Sequence, residues 1–144
     1  MQTALVRWLG SEKFLGQTPS GHAVPFDSDR KSNSAPGPME MLLVALGACT
    51  ATDVVSILAK KRQHLESLEI VISGERASSP PTVWVKLELL YRLRGRNASG
   101  GPLDEKAVRD AIALSKDKYC SVSATLAKSA HISFRHEILS SASS

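Results

Sequence analysis

Cysteine is scarce in this sequence. Two in 144 residues argue against a disulfide scaffold, whose small domains are dense in cystine. Aromatics are scarce as well, at 5%. Nucleic-acid platforms interleave aromatic with basic side chains, and no such stretch is present. No apolar run reaches the ~18 residues of a membrane-spanning helix; the longest, Met41–Ala51, has 11. The start, MQTALVRWLG, lacks a charged leader followed by an apolar stretch, so no secretory signal is expected. The expected compartment is the cytoplasm, where thiols stay reduced. Charge of one sign does not dominate: 18 Lys and Arg against 14 Asp and Glu leave +4. Two basic knots, Lys60–Lys61–Arg62 and Arg92–Leu93–Arg94–Gly95–Arg96, read as solvated charge at a helix end and on one strand face. Neither nucleic acid nor membrane is expected as a partner. There is no GxSxG, P-loop or GxGxxG, which turns the reading away from serine hydrolases, nucleotide enzymes and Rossmann cofactors. His22, His64, His131 and His136 show no metal-ligand spacing, and no metal is expected.

What is present is a 42% apolar fraction, enough for a hydrophobic core and unlike the composition of disordered chains. The length fits one domain, 1–144. The small polar tail, 140–144, is expected to fray.

Periodicity gives the elements. Ala4, Val6 and Trp8 alternate with Leu5 and Arg7. The turn QTPSG separates strands at Lys13–Gly16 and His22–Asp27, and Pro25 places the second at an edge. Pro38 and Glu40 suit the first turn of a helix reaching about Lys61. Its middle is apolar on every face, which predicts burial all round. Gly47, Ala48 and Ala51 would let a second helix pack closely. Leu68, Ile70 and Ile72 alternate, then Val83 to Leu93 at every second position, so the pair reads as a hairpin. Leu103, Ala107, Ala111 and Leu114 have a helical period. Around Tyr119–Ser121 the chain either continues or restarts a helix to Lys128. Ile132, Phe134, His136 and Ile138 alternate as a final strand. The order β-β-β-α-β-β-α-α-β predicts an α+β domain whose helices cover a mostly antiparallel sheet.

The cysteines are the first candidates for chemistry. Cys49 and Cys120 lie 71 positions apart, which is neither a CxxC pair nor a zinc spacing. Cys49 sits in the apolar helix, with Asp53 one turn later on the same face. Asp53 faces a polar cavity, finds a cation, or emerges to solvent. Cys120 follows Lys116 and Lys118 and opens a short helix, a setting that would lower a thiol pKa. An ordinary Cys is only a few per cent thiolate at neutral pH, so reactivity needs such lowering. The plain alternative is packing, since free Cys is often simply buried. His136 falls on the apolar face of its strand, as a satisfied core or interface histidine would.

Two segments together resemble a known family. APGPMEMLLVALGACTATDVV, from Ala35, is similar to the central-helix motif of the OsmC/Ohr superfamily, the osmotically inducible and organic-hydroperoxide-resistance proteins. KYCSVSATL, from Lys118, is similar to its second-cysteine motif. The likeness covers nearly the whole chain and is nearest the YhfA-type branch. It implies an intertwined homodimer built on a long buried central helix, with active sites at the subunit interface. It also implies thiol-dependent reduction of organic hydroperoxides. Cys49 would be the peroxidatic thiol, oxidised to a sulfenic acid, and Cys120 would resolve it as a disulfide. An external dithiol would then reduce that bridge, with no other cofactor. In the organic-hydroperoxide branch an N-terminal Arg, held by a Glu early in the helix, activates the first cysteine. Here the Glu register falls on Met39, with Glu40 one position later. The segment expected to carry the Arg, Ser11–Gln17, has none. Arg7, Lys13 and Arg30 are the available cations, and Glu40 is the candidate third site residue. The alternative within the same fold is a non-catalytic protein that binds an apolar small molecule in the interface cavity.

Overall fold

The structure, a computed structural model, describes residues 1–141. Its elements are β1 (Leu5–Trp8), β2 (Lys13–Gln17), β3 (Ala23–Asp27), α1 (Pro38–Lys60), β4 (His64–Arg76), β5 (Trp84–Arg96), α2 (Glu105–Leu114), a π-helical turn (Ser115–Tyr119), α3 (Ser121–Leu126) and β6 (His131–Ile138). The order is the one that periodicity predicts. By contacts the chain divides into two compact units, Met1–Leu43 and a second that begins at Val44.

The first unit is an antiparallel three-stranded sheet in the order β1-β2-β3. Pro25 lies on β3, at the sheet edge, where its missing N–H costs no ladder bond. Asp27, buried at the end of β3, organises the loop that follows. It accepts the amides of Asp29 (2.9 Å) and Ser34 (3.0 Å) and the hydroxyls of Ser32 (2.5 Å) and Ser34 (2.6 Å). Leu5, Val6, Trp8 and Leu9 are exposed.

The second unit is built on a sheet in the order β4-β5-β6. Strand β5 runs antiparallel to β4 and parallel to β6. A parallel neighbour requires a crossover, and α2, the π-helical turn and α3 supply it. Leu87, Leu89, Tyr91 and Leu93 alternate along β5 and are buried. The bulge between Leu65 and Ser67 sits opposite Gly95, where a Cβ would fall 2.2 Å from the His64 carbonyl oxygen. Only glycine allows so close an approach.

Helix α1 departs from expectation in two ways. Its buried positions are Leu46, Gly47, Thr50, Val54 and Leu58, a stripe at four-residue spacing, so one face is buried within the chain rather than all of them. Val44 and Val55 are exposed. Nor does Gly47 receive a second helix: a Cβ there would meet Ile72 of β4 at 2.8 Å, so the missing side chain seats a strand. The uninterrupted run of 11 residues also understates this helix. Over its 23 residues it is long and apolar enough to cross a membrane by length and composition, although Thr50 bonds to β5 and the π-helical turn. Its C-terminus closes with Gln63 N–H on the Leu58 carbonyl and Arg62 N–H on that of Ala59. This is the Schellman arrangement, with Arg62 at a φ of 58°.

The basic strand segment is neutralised in place. Arg92 faces Glu137 (3.4 Å) and Glu69 (3.9 Å), and Arg96 faces Glu66 (3.2 Å). Of the tail, Ser140 accepts from Arg94 through its carbonyl and Ser141 donates to the Gly95 carbonyl; residues 142–144 lie outside the described residues.

Candidate active site

The fold brings the two cysteines together. Cys49 lies in the middle of α1 and is partly exposed, while Cys120 is buried, and both are free thiols. The Cys49 thiol lies beside that of Cys120, near enough to act on it directly. Cys120 is extended (φ −73°, ψ 98°) at the N-cap of α3, where its sulfur accepts the Ser123 amide at 3.4 Å. Of the two alternatives for this stretch, the helix first continues as a π-helical turn, then breaks at Cys120 and restarts at Ser121.

The expected lowering of the Cys120 pKa does not occur. Burial pushes this thiol above its ordinary value, the amide and hydroxyl of Ser123 pull it back, and Cys49 pushes it further up. A six-residue helix has a weak dipole, and desolvation of a thiolate outweighs it. The nearby cations are spent elsewhere. Lys116 lies 5.3 Å from the centre of the Phe134 ring and Lys118 5.3 Å from that of Tyr119.

A chain of hydroxyls runs beside the thiols. Tyr91 and Thr50 are 2.7 Å apart, Thr50 and Ser115 2.8 Å, and Ser115 donates to Asp53 at 2.8 Å. Tyr91, Thr50 and Ser115 are fully buried. Burial pushes the Tyr91 phenol up to about 12; the Thr50 hydrogen bond opposes this, and Cys120 and Asp53 add to it. Asp53 thus finds a hydroxyl rather than a cation, and it lines an open pocket with Lys60, Lys61 and Tyr119. Nothing in the sequence paired Thr50, Tyr91 and Ser115. The available signal was a threonine inside an apolar helical stripe and a tyrosine inside an apolar strand stripe, since buried hydroxyls need partners.

Glu40 caps α1. Its carboxylate accepts the Gly37 amide at 2.8 Å, and among the described residues it makes no ion pair. Arg7 lies on β1, Lys13 opens β2 and Arg30 follows β3; none forms a salt bridge among the described residues. His136 pairs through Nε2 with Glu105 at 2.5 Å, joining β6 to α2. Among the described residues no three His, Cys, Asp or Glu side chains converge as a metal site.

Two thiols supplied by a long helix and by a segment after the crossover helix fit the family that the sequence motifs resemble. The family model described as OsmC-like protein matches residues 31–135. Protein YhfA of Escherichia coli K12 is 38% identical over 136 residues, covering 94% of this chain and 97% of that protein. The chain belongs to the OsmC-like family. Solved OsmC-like folds agree. A hypothetical protein from Aquifex aeolicus is 29% identical, with a TM-score of 0.83 and 97% of each chain covered. An organic hydroperoxide resistance protein, OsmC, from Legionella pneumophila is 13% identical, with a TM-score of 0.69 and coverage of 96% of this chain and 97% of that one; it shares the fold.

Proposed function

We propose that this OsmC-like chain reduces organic hydroperoxides with Cys49 and Cys120, as a homodimer in the cytoplasm. The observation that carries the reading is the apposition of the two thiols, from cysteines 71 positions apart.

Cys49 is the partly exposed residue of the two, so it is the one a substrate reaches. Its thiolate attacks the terminal peroxide oxygen, the O–O bond breaks, and the alkoxide takes a proton and leaves as an alcohol. Cys49 is then a sulfenic acid. Cys120 attacks that sulfur, its proton leaves with the sulfenic hydroxyl as water, and a disulfide forms. An external dithiol exchanges with the bridge, is itself oxidised, and restores both thiols. Burial of Cys120 keeps the second thiol protonated and away from solvent until Cys49 is oxidised.

The dimer is supported by apolar surface in each unit. Leu5, Val6, Trp8 and Leu9 are exposed in the first, and Val44 and Val55 in the second. Exposed large apolar side chains favour a partner surface, and a second copy would supply one. Among the described residues Glu40 makes no ion pair, so the cation for Cys49 in this reading is Arg7, Lys13, Arg30 or none of them.

One observation favours a second reading. No cation contributes to the Cys120 thiol, as expected if both cysteines stay reduced and the family cavity binds an apolar small molecule. The deciding experiment is consumption of cumene hydroperoxide with a dithiol, on wild type, Cys49→Ser and Cys120→Ser. Turnover lost in Cys49→Ser supports the peroxidase. A folded, inactive wild type overturns it in favour of the binding protein.

A further inference from the structure

Ser115 touches Cys120 and the residue that follows Cys49. Its carbonyl accepts the Cys120 amide at 2.8 Å, the five-residue bond of the π-helical turn. Its hydroxyl bridges Thr50, which follows Cys49 on α1, and Asp53, one turn later. π-Helical turns are rare and recur at functional sites.

The proton order in this chain is fixed. Ser115 gives its one hydroxyl proton to Asp53, so towards Thr50 it can only accept. Thr50 therefore donates to Ser115, and towards Tyr91 it too can only accept. Tyr91 donates to Thr50. Every O–H points the same way, from β5 through α1 and Ser115 to Asp53. Hydrogen bonds aligned in this manner polarise one another, and in a buried setting each is costly to break singly.

We infer that Thr50, Ser115 and Tyr91, oriented by Asp53, are positioning residues for the thiol pair. The aligned hydroxyls fix the α1 turn that carries Cys49 against the segment that delivers Cys120, and so set how readily the two sulfurs join. This rests on the reading of the cysteines as a working pair. It adds to that reading four side chains outside both thiols, and a role for Asp53 other than ion pairing. It also accounts for a hydroxyl inside an apolar helical stripe: the Thr50 position exchanges apolar packing for alignment.

The test is the equilibrium between thiols and Cys49–Cys120 disulfide in buffers of reduced and oxidised glutathione, read by mass spectrometry of the alkylated protein. It needs no peroxide and no turnover. Thr50→Val keeps the side-chain shape and removes the hydroxyl; it should lower the disulfide constant about fivefold to tenfold, the scale of one net buried hydrogen bond. Thr50→Ser keeps the hydroxyl and should restore it. Asp53→Ala removes the acceptor that fixes the Ser115 proton, leaves the direction of the chain unset, and should lower the constant as well. A merely structural role would shift the unfolding temperature and leave this ratio unchanged in the folded variants. A Thr50→Val ratio equal to wild type overturns the proposal and leaves the working pair standing. Should Thr50→Val fail to fold, unchanged ratios in Asp53→Ala and Tyr91→Phe overturn it equally. No bridge in wild type at any glutathione ratio overturns the working pair and this proposal with it.

Discussion

The Cys120 amide is hydrogen-bonded to the Ser115 carbonyl at 2.8 Å. An α-helical bond would span four residues, and this one spans five. The extra residue ends the crossover helix at a buried serine and leaves Cys120 extended, at the N-cap of the next helix. A thiol so placed caps its own helix through the Ser123 amide and at the same time lies beside Cys49 of α1. The apposition with Cys49 thus depends on one irregular turn rather than on either helix alone.

The two thiols should leave different traces when one is removed. Cys120→Ser has no resolving sulfur, so one equivalent of alkyl hydroperoxide should leave Cys49 as a sulfenic acid that dimedone traps in nearly stoichiometric yield. Cys49→Ser should show little dimedone adduct, because Cys120 is buried and held protonated. Peptide mapping distinguishes the two. An adduct on Cys120 alone would reverse the assignment.

Acid should loosen the first unit through Asp27. Hydroxyl and amide donors from Ser32 and Ser34 hold its carboxyl well below the ordinary range. The unfolded chain therefore binds this proton at a higher pH than the folded one. The contribution is complete above the unfolded value, near 3.9, and falls away as pH drops below it. Asp27→Asn should remove that slope and lower stability at neutral pH. Amide exchange across 28–36, followed from pH 6 to 3, checks it; parallel profiles for the variant and wild type would contradict it.

Much of the fold could be read from period alone. The alternation from Val83 to Leu93 is that of β5, and the 3.6-residue period after Leu103 is that of α2. The π-helical turn was out of reach, because an inserted residue leaves no mark in a helical pattern. The sidedness of α1 was out of reach for a different reason. An apolar helix carries no amphipathic signal, so which face meets its own sheet is decided by the partners of Thr50 and by the gap at Gly47. The pairing of Cys49 with Cys120 followed from family motifs, not from spacing. The hydroxyl chain joins three elements through single polar residues, and no local pattern connects those.

Arg62 should accept glycine with a gain. It closes α1 at a φ of 58°, a left-handed conformation in which a Cβ meets the following carbonyl. Glycine has no such contact and is the common residue at this position of a Schellman end. Arg62→Gly should raise stability by about 1 kcal/mol, partly offset by the lost cation at the helix C-terminus. Urea unfolding at neutral pH measures it; a loss of 1 kcal/mol or more would show the Arg62 side chain to outweigh the strain.

Alkali should unfold the protein through Tyr91. Its phenol is raised to about 12, chiefly by burial, against about 10 in an unfolded chain. Below pH 10 both states hold the proton and the group adds no slope. Between about 10 and 12 the unfolded chain has released it while the folded one retains it, so the unfolded state binds fewer protons and stability falls as pH rises. Two units correspond to roughly 3 kcal/mol over that window. Tyr91→Phe cannot titrate and should lose this slope. It should also begin less stable by about 1–2 kcal/mol, because Thr50 loses its donor. Cys120 is raised as well and contributes a slope of the same sign at lower pH, so the comparison belongs in a Cys120→Ser background. Urea midpoints from pH 8 to 12 would give the two curves, and equal slopes would place the alkaline transition elsewhere in the fold.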